Sequence, residues 1–143
     1  LIGGEESTTE SGNTNVFDVD LTLTPMDKLT IGSELNIGRQ PGGKENETWQ
    51  GFLVMAHYDF VDFWGLTIRY DFFEDKGANR LGTTGDEKRQ ALALAPTFSL
   101  GNGMGALLEY RIDFSNTDVF AKDDGDTFSR NSSNFAFELT FTF

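Results

Sequence analysis

Cysteine is absent from this sequence of 143 residues, which excludes disulfide frameworks and thiolate metal sites. No apolar run approaches the roughly 18 to 20 residues of a membrane-spanning helix. No positively charged start followed by an apolar stretch marks a signal peptide. Basic residues are also scarce, with 11 Lys and Arg against 23 Asp and Glu and a net charge of −12. Because phosphate binding needs clustered basic residues, this composition argues against nucleic acid and favours cations over anions as partners.

The length fits one domain or a part of one. Hydrophobic residues make up 38% of the sequence, which is enough to bury a core in a water-soluble protein. Composition alone therefore does not decide whether the protein is water-soluble or lies in a membrane.

The last ten residues alternate strictly between large hydrophobic and mostly polar side chains. Hydrophobic residues occupy every second position at Phe135, Phe137, Leu139, Phe141 and Phe143. A period of two is the signature of a β-strand, and an apolar face against a polar face is typical of a strand between lipid and a watery lumen. The pattern predicts a strand of an outer-membrane β-barrel.

Seven segments in all show an apolar face at alternate positions. They are 15–24, 29–39, 48–60, 64–72, 89–100, 104–114 and 134–143. The connections between them alternate between short turns and long polar loops, as periplasmic turns and extracellular loops do in bacterial barrels. The sequence therefore predicts an all-β fold, an antiparallel up-and-down transmembrane β-barrel of which seven strands are seen.

Aromatic residues gather where the predicted strands meet their connections. One set lies at the short turns (Tyr58, Phe60, Phe63, Trp64) and another toward the long loops (Tyr70, Phe72, Tyr110, Phe114). Both sets are typical of the aromatic girdles at a membrane interface. Pro96 is the exception within its strand, because it cannot donate a ladder hydrogen bond, and it predicts a β-bulge.

Strand parity bears on how the chain is organised. With the last strand ending at the periplasm, the first strand descends from outside, so residues 1–14 are expected to be an extracellular loop or a truncated start. Residues 15–143 are then the carboxyl-terminal strands of one larger barrel domain, because bacterial barrels have an even number of strands. The rest of the barrel would come from upstream sequence or another chain, and an oligomer is compatible with this arrangement.

The polar face of the predicted strands carries most of the candidate functional residues. The expected pore-lining set is Asp18, Asp20, Glu34, Asp59, Arg69, Asp71, Glu109, Arg111, Asp113 and Glu138. Eight carboxylates against two arginines, with His57 as a further candidate, predict a negative wall and a mild preference for cations. Alanines at the inward positions of the fifth strand would leave space in the lumen. The alternative is that these charges form a satisfied ladder that fills a narrow, non-conducting barrel.

Other motifs do not indicate an enzyme, a metal site or a cofactor. His57 and Asp59 share a strand face, but a hydrolase also needs a positioned nucleophile and an oxyanion hole. The Asp-rich run 123–126 lacks the ligand spacing of an EF-hand, so a solvated loop is the favoured interpretation. Gly101, Gly103 and Gly105 mimic part of a dinucleotide fingerprint, but no helical pattern follows them.

Several short motifs resemble one family. They are TPMDKL at 24–29, YDFVDFWGL at 58–66, RYDFFEDKG at 69–77, LEYR at 108–111 and the terminal Phe. With these segments the chain from about Asn15 onward resembles the OmpL-like porins, also called β-barrel porin type 2. The resemblance implies a barrel in the bacterial outer membrane, in contact with its lipid, that passes solutes and has no catalytic motif.

Three functions stay open from the sequence. The first is an outer-membrane channel for passive diffusion of small hydrophilic solutes, and the second is a non-conducting barrel that anchors or scaffolds a partner. The third is a soluble, lipocalin-like barrel in which the apolar face would point inward around an apolar ligand. The third predicts that Leu94, Leu108 and Phe137 pack together in a closed interior, with Glu109 and Glu138 in solvent.

Overall fold

A computed structural model describes residues 2–4, 14–40, 47–77, 80–81, 85–122 and 125–142. Over these residues the chain is all β, with no helix. The strands are β1 (Ile2–Gly4), β2 (Thr14–Met26), β3 (Leu29–Gln40), β4 (Glu47–Val61), β5 (Trp64–Lys76), β6 (Glu87–Gly101), β7 (Met104–Ser115), β8 (Phe120–Ala121), β9 (Phe128–Ser129) and β10 (Asn131–Phe141).

The long strands form one antiparallel meander. Its order is β1-β2-β3-β4-β5-β6-β7-β10, so that consecutive long strands are always neighbours. The small strands β8 and β9 form a separate hairpin in the connection between β7 and β10. The sheet is not closed, because β1 and β10 lie at its two edges. The predicted all-β, antiparallel architecture with seven long strands is confirmed.

The strand bounds differ from the predicted ones mainly at the long loops. Strand β5 continues to Lys76 and β6 begins at Glu87, so the connection between them is shorter than the sequence indicated. The last strand begins at Asn131, three residues before its predicted start at Asn134. Its predicted final residue, Phe143, lies outside the described residues. Within the segment expected to be a loop or truncated start, Ile2–Gly4 forms a short strand that pairs with the beginning of β2.

Tight turns connect the strands at one end of the sheet. The turn at 102–103 joins β6 to β7, and Asn102 and Gly103 adopt positive φ angles of 52° and 75°. Two successive positive φ angles match the twist of the flanking strands, which is why Asn-Gly is favoured there. The β6–β7 ladder shifts register between Ser99 and Gly101, immediately before this turn.

The predicted bulge at Pro96 is wrong. Pro96 pairs with Leu66 of β5, and the register toward β7 is the same on both sides of it, from Leu94 opposite Tyr110 to Thr97 opposite Leu107. Only the pairs of Ala95 and Pro96 with β7 drop out of the ladder. The missing N–H is therefore tolerated by losing local pairs on one side, without an extra residue.

The two faces of the sheet differ in chemistry. Large apolar side chains project from one face, here called the outer face, and stay exposed; Leu94 is 41%, Leu108 48% and Phe137 63% exposed. They are not packed in a closed interior, so the arrangement required by a lipocalin-like barrel is not present in the described part of the chain. The opposite face, here called the inner face, carries the polar residues. Within the described ranges, no helix has the length and apolar character needed to cross a membrane.

Aromatic rings cluster on the outer face near both ends of the strands. Toward the tight turns Phe60 stacks on Trp64, with ring centroids 4.5 Å apart. Toward the long loops Phe52 stacks on Phe72, with centroids 5.5 Å apart. Trp64 and Phe72 lie eight residues apart on β5, roughly 26 Å along the strand, which is about 20 Å along the axis of a barrel whose strands tilt by about 40° and therefore spans most of an apolar band of about 25 Å.

Candidate functional site

The cross-strand register brings the polar residues of the inner face into two neighbouring rows. One row runs Asp20–Glu34–Leu53–Asp71–Ala91–Asp113 from β2 to β7. The adjacent row carries Arg69 and Arg111 on either side of Ala93. A row of acids therefore lies directly beside a row of bases, and their interaction determines the charge of this surface.

Four of these residues form a compact arginine–aspartate cluster, made of Arg69, Asp71, Arg111 and Asp113. Arg69 donates through Nη2 and Nε to Asp71 Oδ1, at 2.7 and 2.9 Å, and Arg111 Nε donates to Asp113 Oδ1 at 2.9 Å. Arg111 Nη1 also reaches Asp71 Oδ2 at 3.5 Å, which spans β6. The shortest ion pairs join residues two positions apart on the same strand. Only the longest contact, at 3.5 Å, joins two different strands. Two guanidinium groups balance two carboxylates, so the cluster has no net charge.

Strand β6 passes under this cluster with small side chains. Ala91 and Ala93 are each 2% exposed and Ala95 is 5% exposed. They lie between β5 and β7, whose arginine and aspartate side chains meet above them. The sequence predicted that these alanines leave lumen space; in the structure the long neighbouring side chains cover them.

A second group of acidic residues is not balanced by basic side chains of the described residues. The acidic patch consists of Asp18, Asp20 and Glu34 on β2 and β3, and all three side chains are exposed. Asn36 Nδ2 donates to Asp18 Oδ2 at 3.3 Å. Among the described residues, no Lys or Arg lies within ion-pair distance of these three carboxylates. The inner face therefore combines a charge-balanced cluster on β5 and β7 with an uncompensated acidic patch on β2 and β3.

A recess of about 420 Å³ joins the two regions. Its lining includes Glu34 on β3, Leu53 on β4 and the arginine–aspartate cluster on β5 and β7. Leu81 and Phe120, from the connections at the long-loop end, also line it. Side chains from five consecutive strands thus surround one space, which requires the sheet to curve toward its inner face.

Arg89 is a lining residue that sequence reasoning missed. Its Nε donates to Glu87 Oε1 at 2.5 Å, and its guanidinium lies 5.9 Å from the ring centroid of Phe120. Arg89 shares the parity of Ala91 and Ala93, so alternation alone places it on the inner face. The sequence pattern does not single it out, because the predicted strand begins at this residue.

The mouth of the recess is organised by Asp75. Asp75 Oδ2 accepts hydrogen bonds from the backbone N–H groups of Arg80 and Leu81, each at 2.8 Å. The Arg80 guanidinium lies 4.0 Å from the ring centroid of Trp49, a cation–π contact. Because Asp75 is 1% exposed, these bonds form away from solvent and fix Leu81 at the edge of the recess.

Trp49 itself is held against the sheet. Its Nε1 donates to Asn36 Oδ1 at 3.2 Å, and the indole ring lies on Gly38, where a Cβ atom would overlap the ring. Trp49 is buried, with 7% exposure. Gly38 is therefore required by close approach of the indole ring.

The remaining predicted residues lie on the same face toward the tight turns. His57 Nε2 lies 3.1 Å from Asp59 Oδ1, and His57 Nδ1 lies 2.9 Å from Thr67 Oγ1. The register also places Glu109 and Glu138 on the inner face, through their pairs with Ala136 and Leu107. All ten predicted pore-lining residues therefore share one face, although their role as pore lining stays a prediction.

The described residues contain no group of three or more His, Asp or Glu side chains placed to hold a metal ion. Of the Asp-rich run 123–126, residues 123 and 124 lie outside the described ranges.

Comparison with known proteins gives one match. A family model described as "Putative beta-barrel porin-2, OmpL-like" matches residues 1–143. No curated protein and no solved structure matches the chain at a significant level.

Proposed function

The chain belongs to the OmpL-like beta-barrel porin-2 family, and from this membership we propose that it forms part of the wall of a channel for passive diffusion of small hydrophilic solutes, with a mild preference for cations. Membership indicates an outer-membrane β-barrel porin and points to a channel rather than an enzyme. The solute class and the cation preference are the finer parts of this proposal. Outer-membrane lipid and small cations or neutral solutes are the partners that it implies.

The acidic patch is the observation that carries the cation preference. Asp18, Asp20 and Glu34 have no basic partner among the described residues, whereas Arg69 and Arg111 are balanced within their own cluster. Uncompensated carboxylates facing a water-filled passage raise the local concentration of cations and lower that of anions. The neutral cluster adds rigidity to the wall without cancelling this field.

A second candidate is a non-conducting barrel that anchors or scaffolds a partner. It is favoured by the side chains that crowd the recess, since Phe73, Leu81 and Phe120 line it together with three arginines. If such groups meet across the complete barrel, the inner space is filled and no current passes.

Planar-bilayer recording separates the two candidates. The full-length protein that contains this chain is inserted into a bilayer, and current is recorded at several voltages. A channel gives discrete steps, and in a KCl gradient its reversal potential shifts in the direction of cation selectivity. Properly folded protein that gives no steps would favour the anchor, and a reversal potential of anion-selective sign would contradict the role given to the acidic patch.

A further inference from the structure

The outer face carries a group of basic residues at the end of the strands that meets the long loops. Arg39 of β3, Thr48 of β4 and Lys76 of β5 lie side by side in one row. In the next row, toward the middle of the sheet, lie Gln50 of β4, Glu74 of β5 and Lys88 of β6. The name basic patch is used here for Arg39, Lys76 and Lys88.

The two lysines are held in place from below by one carboxylate. Glu74 Oε1 lies 3.1 Å from Lys88 Nζ, and Glu74 Oε2 lies 3.8 Å from Lys76 Nζ. Gln50 Nε2 donates to Glu74 Oε2 at 2.6 Å. The Glu74 side chain is 9% exposed, whereas those of Lys76 and Lys88 are 53% and 49% exposed. Glu74 therefore positions both ammonium groups while leaving them open on the outer side.

The charge of this patch is opposite to that of the whole chain. Three cations and Glu74 leave two positive charges, and the neighbouring Asp86, whose Oδ1 accepts from the Gly77 N–H at 3.1 Å, reduces this to one, in a chain with a net charge of −12. Arg39 is exposed, and within the described part of the chain it has no acidic partner in an ion pair. Its Cα lies two strand spacings from that of Lys76, roughly 10 Å, which is within reach of one headgroup for two long side chains.

The place of the patch points to its ligand. The row immediately below it on the outer face contains the stacked rings of Phe52 and Phe72, which belong to the aromatic set toward the long loops. A small hollow of about 70 Å³, lined in part by Ile37, Thr48 and Lys76, opens between the patch and the apolar surface. Above an apolar, lipid-facing band, the groups that a membrane presents at this height are headgroups, and basic residues on a lipid-facing surface select anionic ones.

We propose that Arg39, Lys76 and Lys88 form a binding site for the phosphate of an anionic lipid headgroup in the leaflet that borders the long loops. The acyl chains of that lipid would lie along the apolar outer face below Phe52 and Phe72. This proposal rests on the outer-membrane location that the family indicates and does not depend on conduction. Absence of current in a bilayer would therefore not contradict it.

The test compares lipid binding by variants of the full-length protein in detergent micelles. Phosphatidylglycerol is titrated in, and the bound lipid is counted by native mass spectrometry. The double variant K76Q/K88Q is expected to bind about 25-fold more weakly, because each cation near an anionic lipid surface changes affinity about fivefold. K76R/K88R keeps both charges and is expected to retain binding.

Controls make the result decisive. Lys28→Gln removes one charge at the tight-turn end and is expected to bind like the parent protein. Circular dichroism confirms that each variant keeps its β structure, and only folded variants are compared. Unchanged lipid binding by folded K76Q/K88Q, or binding of inorganic phosphate as tight as that of the lipid, would overturn the proposal.

Discussion

Neutralising Glu34 is the most direct test of the acidic patch. Glu34→Gln keeps the shape of the side chain and removes one negative charge from the lining of the recess. No Lys or Arg of the described residues pairs with Glu34, so the substitution breaks no ion pair and leaves the arginine–aspartate cluster intact. A change in selectivity would then report the field of the carboxylate itself.

The size of the effect follows from the recess. A volume of about 420 Å³ corresponds to a sphere with a radius near 5 Å, which sets the distance between an ion and the wall. At about 5 Å in water, one charge contributes about 0.8 kcal/mol, reduced to about 0.4 kcal/mol by physiological salt. Loss of Glu34 should therefore halve the local cation concentration and double that of anions, a change of about fourfold in their ratio.

The assay is the reversal potential of the full-length channel in a KCl gradient. Glu34→Gln is expected to shift the reversal potential toward zero, because the ratio of cations to anions near the wall falls about fourfold. Asp27→Asn is the matched control, since it removes the same charge in a tight turn roughly 20 Å along the strand, beyond the screening length. A channel whose selectivity is identical with and without Glu34, or equally altered by both substitutions, would refute the reasoning.

Three further outcomes are expected. Arg111→Gln leaves the cluster with an excess carboxylate, so the reversal potential should move toward stronger cation selectivity; a move toward anions would show that the acids of the cluster do not face the passage. In about 1 M salt the effect of Glu34→Gln on the ratio of cations to anions should shrink to less than twofold, because the screening length falls to about 3 Å; selectivity measured at two KCl concentrations checks this. Gly38→Ala should lower the free energy of unfolding by about 1–3 kcal/mol, because the methyl group overlaps the Trp49 ring. Gly32→Ala, whose methyl group meets the flexible Met55 side chain with Cγ at 3.0 Å, should cost less in the same urea titration followed by tryptophan fluorescence.

Alternation in the sequence predicted the strands because it is a local property of the backbone. Each side chain of a strand points opposite to its neighbour, so parity alone assigned Glu34, Asp71 and Asp113 to one face. Even the irregular third strand followed the rule, with Leu53 and Met55 on the inner face. The family resemblance was also confirmed.

Partners across strands could not be predicted in the same way. Parity assigns a residue to a face of the sheet but does not say which residues of the neighbouring strands lie beside it. The pairing of Arg111 with Asp71 depends on the register of three strands. The hydrogen bonds of Asp75 depend on the path of the connecting segment after β5, for which periodicity carries no signal. At Pro96 the wrong prediction came from treating the lost donor as a need for an extra residue, although the ladder simply loses pairs there.

The last strand leaves one edge without a neighbour within the described residues, because β10 pairs only with β7. Of its 11 residues, about half direct their amide and carbonyl groups toward that edge. In hydrocarbon each such group costs several kcal/mol when it finds no partner, so the bare edge would be tens of kcal/mol too unfavourable to insert alone. Insertion of this edge into a bilayer would therefore require a partner strand along β10.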